Sequence, residues 1–443
     1  MSYFEFTGNP FVDAGIWGIM AWLNKKSPMD IEIEELKDEF EDITNLYTTD
    51  QWKKLMHYLF PNNPIVNPSY KGKHKKKYIE YLNKLTNQIK LVGNNGTCIS
   101  CGKRGIVSQA KRNNVPLTGS GKLRNYFSYA QEGADYCPVC ILSIQFLPLV
   151  LYICGGRVIL ISSDSKKVMR RWANKCIEMV RRQILLKEFE RGINENYMLP
   201  HNSLFHIVGD LILEKNAEEF KGNKVSIRVY YFTNYGQSPD IEIFDLPSKV
   251  FSFLVYLKQT NEYKKWFEVV NRGFLKEIDD EEEKYKKYRN IVYEKLLNNE
   301  SIIHYFMDNE RNTYGTWNIL NLYLKEVREM DDRKIELIKN LGDKIAIYIK
   351  NSDKLKRLTD LERAQKYYEF TNILRLISKD RIKQNAKEPL FSLDDYVEIV
   401  YRENYPEWKE VRDLILFRIY ENLHDWLISK EEYKKEVERE EIS

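Results

Sequence analysis

A chain of 443 residues exceeds what one hydrophobic core ordinarily organises, so two to four domains are expected at about 150 residues each. With 43% hydrophobic and 30% charged residues, 13 Pro and 20 Gly, the composition is globular and excludes collagen-like and wholly disordered chains. The 69 Lys and Arg against 65 Asp and Glu leave a formal charge of +4, too little to announce a nucleic-acid partner, so the placement of charge must carry that argument.

Only six cysteines occur, and four of them form two C-x-x-C pairs. That usage points to metal binding in a reducing compartment rather than to a secreted disulfide framework, and a cytoplasmic location is expected. The start, Met1 to Phe6, has no basic stretch before an apolar one and does not read as a signal peptide. The apolar run Ile141 to Ile153 is interrupted by Ser143, Gln145 and Pro148, and it falls short of the roughly 20 residues that a spanning helix needs. No membrane association is expected.

Residues 1–96 read as a helical region, with an acidic stretch Asp30 to Asp42 and an aromatic helix around Trp52, Leu55, Tyr58 and Leu59 that Pro61, Pro64 and Pro68 end. Lysines 71, 73, 75, 76 and 77 follow, as a solvated helix start or a phosphate contact. Residues 97–145 hold both C-x-x-C pairs with a basic insertion between them. Residues 146–275 read as an α/β core. Its strands are Arg157 to Ile161, Val225 to Phe232 and a return strand Ile241 to Leu246, and its basic helix runs from Lys166 to Arg182. Residues 276–329 are a helical connector. Residues 330–443, with apolar side chains recurring every three or four positions, form a bundle resembling a small helical subunit. From 331 onward there are 25 acids and 23 bases, so the positive excess lies in the first 330 residues. The expected fold class is α+β: a mixed N-terminal α/β body with an inserted four-cysteine zinc-finger region, followed by an all-α helical-bundle C-terminal domain.

Cys98, Cys101, Cys137 and Cys140 carry the strongest local chemistry, because each x-x turn lets two sulfurs reach one tetrahedral ion. A structural Zn2+ is expected, with all four positions filled by protein and none open for catalysis. Redox chemistry at Cys137-Pro138-Val139-Cys140, or a site that has lost its metal, is the alternative. The 35 residues between Cys101 and Cys137 are more than a compact ribbon needs. From Lys103 to Gln131 they include Lys103, Arg104, Lys111, Arg112, Lys122 and Arg124 and no acid, together with Asn113, Asn114, Asn125 and three aromatic residues. Such a loop reads as a nucleic-acid contact or as a solvated lid. The turn after the second strand adds Asn234, Tyr235 and Gln237, which ordinary hairpin chemistry also explains. His201 and His206 read as ordinary histidines with no neighbouring Cys or carboxylate to complete a site. No nucleotide-binding loop, metalloprotease or hydrolase motif is present, and no catalytic residue is assigned.

Gly8-Asn9-Pro10-Phe11-Val12-Asp13, the two C-x-x-C pairs, Cys154-Gly155-Gly156-Arg157 and Phe232-Thr233-Asn234-Tyr235-Gly236-Gln237 together resemble the CXXC-CXXC family of CRISPR-associated proteins, over roughly residues 3 to 250. That family is the large subunit of type I-B, and related I-A, Cascade complexes. The resemblance implies a non-catalytic subunit at the 5′ end of the crRNA that takes part in protospacer-adjacent-motif recognition on target double-stranded DNA. It also implies R-loop stabilisation in antiviral defence, with base pairing reading the remaining target. The implied partners are the crRNA, the target DNA, the backbone, crRNA-end-binding and small subunits, and a helicase-nuclease recruited after target binding. In such systems the small subunit can arise by internal translation. Met330 is a candidate start, giving 114 residues, and Lys325-Glu326-Val327-Arg328 upstream is codable as a ribosome-binding sequence. A zinc-ribbon DNA-binding regulator acting without RNA, or a metal-dependent nuclease with an unrecognised site, would account for the same motifs.

Overall fold

The computed structural model describes residues 3–119, 132–213, 220, 222, 224–235, 239–275, 281–307, 314–401 and 407–430. The chain divides into two compact units, one of residues 1–255 and 274–297, the other of residues 256–273 and 298–443.

The first unit opens with helices α1 (Pro10–Trp22), α2 (Ile33–Asp38), α3 (Phe40–Tyr47), α4 (Asp50–Leu59) and α5 (His74–Ile89). Its sequence dictates where α1 begins. The Asn9 side chain accepts from the backbone N–H groups of Phe11 and Val12, and Pro10 occupies the first helical position, where a missing N–H costs nothing. Asp13 reaches back to accept from the Thr7 and Gly8 backbone N–H groups at 2.7 and 2.9 Å, across a Gly8 with φ of +82°. The motif at the start of the family resemblance is therefore a helix start, with Val12, Ile16 and Ile19 of α1 buried.

Four short strands and a helix surround the cysteines: β1 (Gly96–Thr97) pairs with β2 (Arg104–Gly105), β3 (Ser108–Ala110) with β4 (Ala134–Tyr136), and α6 (Pro138–Gln145) follows. Next come β5 (Tyr152–Cys154), β6 (Arg157–Ser163), α7 (Lys166–Leu186), β7 (Ile193–Asn194), α8 (Pro200–Leu213), β8 (Ile227–Thr233) and β9 (Asp240–Leu246). Their sheet has the order β7-β5-β6-β8-β9, antiparallel except for the parallel β5–β7 pair. Val158 to Ile161 on β6 are buried on both faces, as befits a β-branched central strand, while β9 at the edge exposes Ile241 and Ile243. Gly155 and Gly156 make the β5–β6 turn at φ of +53° and +80°. The basic helix lies where the sequence places it. Val168, Trp172, Cys176 and Val180 of α7 face inward, while Lys166, Lys167, Arg170, Arg181 and Arg182 are exposed.

Helix α9 (Ser248–Gln259) reaches the division at residue 255. Helices α11 (Glu281–Lys287) and α12 (Ile291–Leu297) belong to the first unit, and α10 (Tyr263–Asn271) to the second. The rest of the second unit comprises α13 (Trp317–Glu326), α14 (Asp332–Ser352), α15 (Leu355–Arg363), α16 (Tyr367–Lys383), α17 (Leu393–Ile399) and α18 (Glu407–Ile428), with no strand among its described residues. Ile338, Leu341, Ile345 and Ile349 of α14 and Val411, Ile415, Ile419 and Leu423 of α18 are buried, as the three- and four-residue spacing predicts, and the two helices pack together. Gly342 permits the approach, since a Cβ there would lie 2.7 Å from Arg418 Cβ. This unit begins at Asn298 and also takes 256–273, whereas the sequence places a bundle boundary at residue 330. Met330 is buried inside it, two residues after Arg328, whose guanidinium lies 2.6 Å from Glu410 with both side chains under 5% exposed. No helix of the described residues is long and apolar enough to cross a membrane.

Candidate metal centre and nucleic-acid interface

The first cysteine pair sits on a tight turn between β1 and β2. The Cys98 N–H donates to Lys103 O at 3.0 Å and the Gly102 N–H to Cys98 O at 2.9 Å, with Gly102 at φ of +69°, a conformation that favours glycine. The Ile99 N–H donates to Asp135 O on β4, which brings the turn toward the second pair. There Cys137 is the N-cap of α6, with Pro138 at the first helical position, so Cys140 projects from the first helical turn. One sulfur from each of Cys98, Cys101, Cys137 and Cys140 lies within 4.8 Å of all the others, and Cys101 Sγ and Cys137 Sγ are 3.8 Å apart. That separation is the edge of a tetrahedron with metal–sulfur bonds of about 2.3 Å.

The protonation chemistry of the cluster also fits an ion. Hydrogen bonds from Cys137 and then Cys140 hold Cys98 well below the usual thiol range as a thiolate. Sharing with Cys137 and with Cys98 pushes Cys140 far up, and burial adds to it. For Cys137 the bond to Cys140 lowers the value, but that to Cys98 and burial prevail and leave it at about 12. Four thiolates crowded together and partly buried repel one another, and a central cation relieves that repulsion. Cys154 and Cys176 are buried elsewhere; burial raises Cys154 to about 11 and Cys176 well above the ordinary value, as inert core thiols.

The sequence-predicted nucleic-acid residues divide. Lys103 and Arg104 are exposed, Lys103 pairing with Glu5 at 2.7 Å. Lys111 is half-buried and pairs with Glu132 at 2.8 Å, while Arg112, Asn113 and Asn114 are also half-buried. Lys122, Arg124, Asn125 and Gln237 lie outside the described residues. Buried amides hold the stretch from Arg112 to Asn114 from three directions: Asn234 Nδ2 donates to Arg112 O at 3.1 Å, Asn63 Nδ2 to Asn113 O at 2.9 Å and Gln145 Nε2 to Asn114 O at 2.9 Å. The Asn114 side chain is itself spent on the Tyr81 hydroxyl.

Asn234 corrects the sequence expectation of an exposed amide. It is fully buried, donates also to Leu59 O at 2.6 Å and accepts from the Leu117 N–H at 3.1 Å. A hydrogen-bonding group so engaged stabilises the loop and presents nothing to a base edge. Tyr235 beside it is half exposed, against Tyr58. Sequence reasoning missed the anchoring roles of Asn63 and Gln145, because buried amides 50 and 31 residues from the carbonyls they hold leave no local pattern.

The expectation that no carboxylate neighbours His206 is also corrected. Glu195, Asp210 and His206 converge, with His206 Nε2 2.8 Å from Glu195 and 3.5 Å from Asp210. Lys175 already contacts Asp210, and the Tyr152 hydroxyl donates to Glu195 at 3.1 Å. Burial pushes Glu195 up, but hydrogen bonding and charge from His206 outweigh it and hold the carboxyl below its ordinary value. The group is a compensated ion network, and a divalent cation would have to compete with the Lys175 ammonium. His201 lies 4.0 Å from Glu294, with its ring edge-on to Phe244.

No curated protein matches the chain. A family model, CRISPR-associated protein (Cas_CXXC_CXXC), matches residues 92–152, from just before β1 to the first residue of β5, with all four clustered cysteines. Over that region the chain is similar to the CRISPR-associated proteins marked by two C-x-x-C pairs.

Proposed function

We propose that this chain is the non-catalytic large subunit of a type I-B Cascade. It binds the 5′ region of the crRNA and the protospacer-adjacent motif of target double-stranded DNA, and it stabilises the R-loop. The observation that carries the reading is the placement of a basic insertion, without an acid from Lys103 to Gln131, between two cysteine pairs and within the segment that the CRISPR-associated family model matches. In this reading Zn2+ bound by the four thiolates fixes the two ends of the insertion, and the amides of Asn63, Gln145 and Asn234 hold residues 112–114 within it. A loop ordered at its base loses less conformational freedom when it meets a duplex. Lys111, Arg112, Lys122 and Arg124 supply phosphate contacts, and the exposed cations of α7 offer further ones.

The four-thiolate site leaves no position for a metal-bound water, so cleavage belongs to a helicase-nuclease recruited after target binding. Backbone, crRNA-end-binding and small subunits complete the assembly in the cytoplasm. The test is charge reversal at Lys111, Arg112, Lys122 and Arg124 in the assembled complex. Each lost phosphate contact should flatten the plot of log affinity against log salt by about 0.9 for duplex DNA. An unchanged slope and affinity would contradict the assignment of this loop. Metal-dependent cleavage of DNA by the pure chain would contradict the non-catalytic reading.

A further inference from the structure

We propose that the cleft between α4, Arg191 and the end of β8 is a stacking site for one unpaired base of a nucleic-acid strand, with Lys53, Lys54 and Arg191 taking the flanking phosphates; this rests on the nucleic-acid reading above and deepens it. The cleft encloses about 500 Å3. Tyr58 and Tyr235 lie nearly parallel there, 7° apart with ring centroids at 5.6 Å, and His57 meets Tyr235 edge-on at 5.4 Å. The Arg191 guanidinium stands 4.6 Å from the Tyr58 ring centre. Tyr235 is 50% exposed, so part of an aromatic ring faces solvent in a setting already built of stacked rings.

The Tyr235 ring is fixed rather than hanging. Its backbone N–H donates to Thr233 Oγ1 at 3.2 Å, its ring packs on Tyr58 and His57, and the side chain of the preceding Asn234 makes three hydrogen bonds. A fixed ring costs little entropy to engage. Asn234 is thus a positioning residue and Tyr235 a binding one. Charge supports the same occupant. Among the described residues Lys53, Lys54 and Arg191 form no ion pair, and Lys54 donates to Gln51 at 3.3 Å. Asp50 is the single acid lining the cleft. A half-exposed aromatic ring beside three cations and one acid matches what a single strand brings, a ring and a phosphate repeating together, whereas duplex bases are stacked among themselves.

The experiment measures binding of the full chain to fluorescent single strands of about twelve nucleotides, oligo-dT and oligo-U, and to a paired duplex. Three variants are compared: Tyr235→Ala, Tyr235→Phe and Tyr58→Ala. Loss of one stacked base is expected to weaken single-strand binding roughly 5- to 150-fold in Tyr235→Ala. Tyr235→Phe keeps the ring and should stay near the parent, and duplex binding should move less than twofold. A larger loss with oligo-U assigns the site to the guide, and a larger loss with oligo-dT to a DNA strand. Single-strand binding unchanged in Tyr235→Ala and in a folded Tyr58→Ala, while charge reversal in the basic insertion still weakens binding, overturns the stacking site and leaves the wider reading standing. Absence of binding to any strand or duplex by the parent chain and its complex overturns both. Tyr235 is a surface ring, so an unchanged thermal midpoint in Tyr235→Ala separates lost contact from lost fold.

Discussion

Gly15 lacks a side chain because α1 crosses α6 at backbone contact: a Cβ there would stand 2.0 Å from Ser143 O, and one at Gly18 would stand 2.9 Å from Phe146 O. Helix α6 carries Cys140, so this crossing joins the N-terminal motif to the cysteine cluster. Gly15→Ala should destabilise by roughly 1–3 kcal/mol, although alanine by itself favours a helix by about 1 kcal/mol. Denaturant unfolding tests this, and an increase in stability would mean the helices part easily. Asp380 makes a prediction about pH. Hydrogen bonds from Lys354 and Tyr348, both at 2.7 Å, outweigh desolvation and hold its carboxyl at about 2, below the usual 3.8. A carboxyl depressed on folding contributes stability that is fully present above about pH 4 and lost as the pH falls through 2. The stability gap between the parent and Asp380→Asn should therefore close from pH 5 to pH 2 when urea midpoints are compared; a gap that does not change with pH would contradict the pairing.

Among elements, those with a local period were legible. The apolar spacing that packs α14 on α18, the cationic face of α7 and the β-branched runs of β6 and β8 all stand in the sequence, with ends shifted by a few residues. Strands β1 to β4 are two or three residues long and β7 is two, too short to show alternation, and they exist because of partners supplied from elsewhere in the chain. Of the site, the cysteine set was readable from spacing alone, because metal chemistry repeats at fixed short offsets. The amide anchors of the insertion and the Tyr58–Tyr235 stack were not, since each joins residues more than 30 positions apart. The metal centre predicts that mass spectrometry of the native protein finds one Zn2+ per chain. Chelation, or Cys98→Ser with Cys140→Ser, should lower the thermal midpoint by many degrees, as the binding energy of a structural zinc is largely folding energy. A metal-free chain with an unchanged midpoint would contradict this.

At the scale of the molecule, the second unit bears on the proposed internal start. A product beginning at Met330 lacks Arg328, and removing one member of a buried ion pair typically costs about 3–5 kcal/mol. It also lacks the buried Phe306, Tyr323 and Leu324, so we expect residues 330–443 alone to unfold at lower denaturant than residues 298–443. Comparing the two fragments by urea denaturation checks this, and equal midpoints would show that the segment before Met330 adds nothing. The central claim, membership of a crRNA-guided assembly, is tested most directly by tagging the C-terminus in the native operon. The tagged material is purified at mild salt, and the RNA and every tagged polypeptide are analysed by mass. The account predicts a discrete crRNA-sized RNA with other Cascade subunits, together with a short tagged product that begins at Met330. Recovery of the full-length chain alone, with neither RNA nor partners, would contradict it.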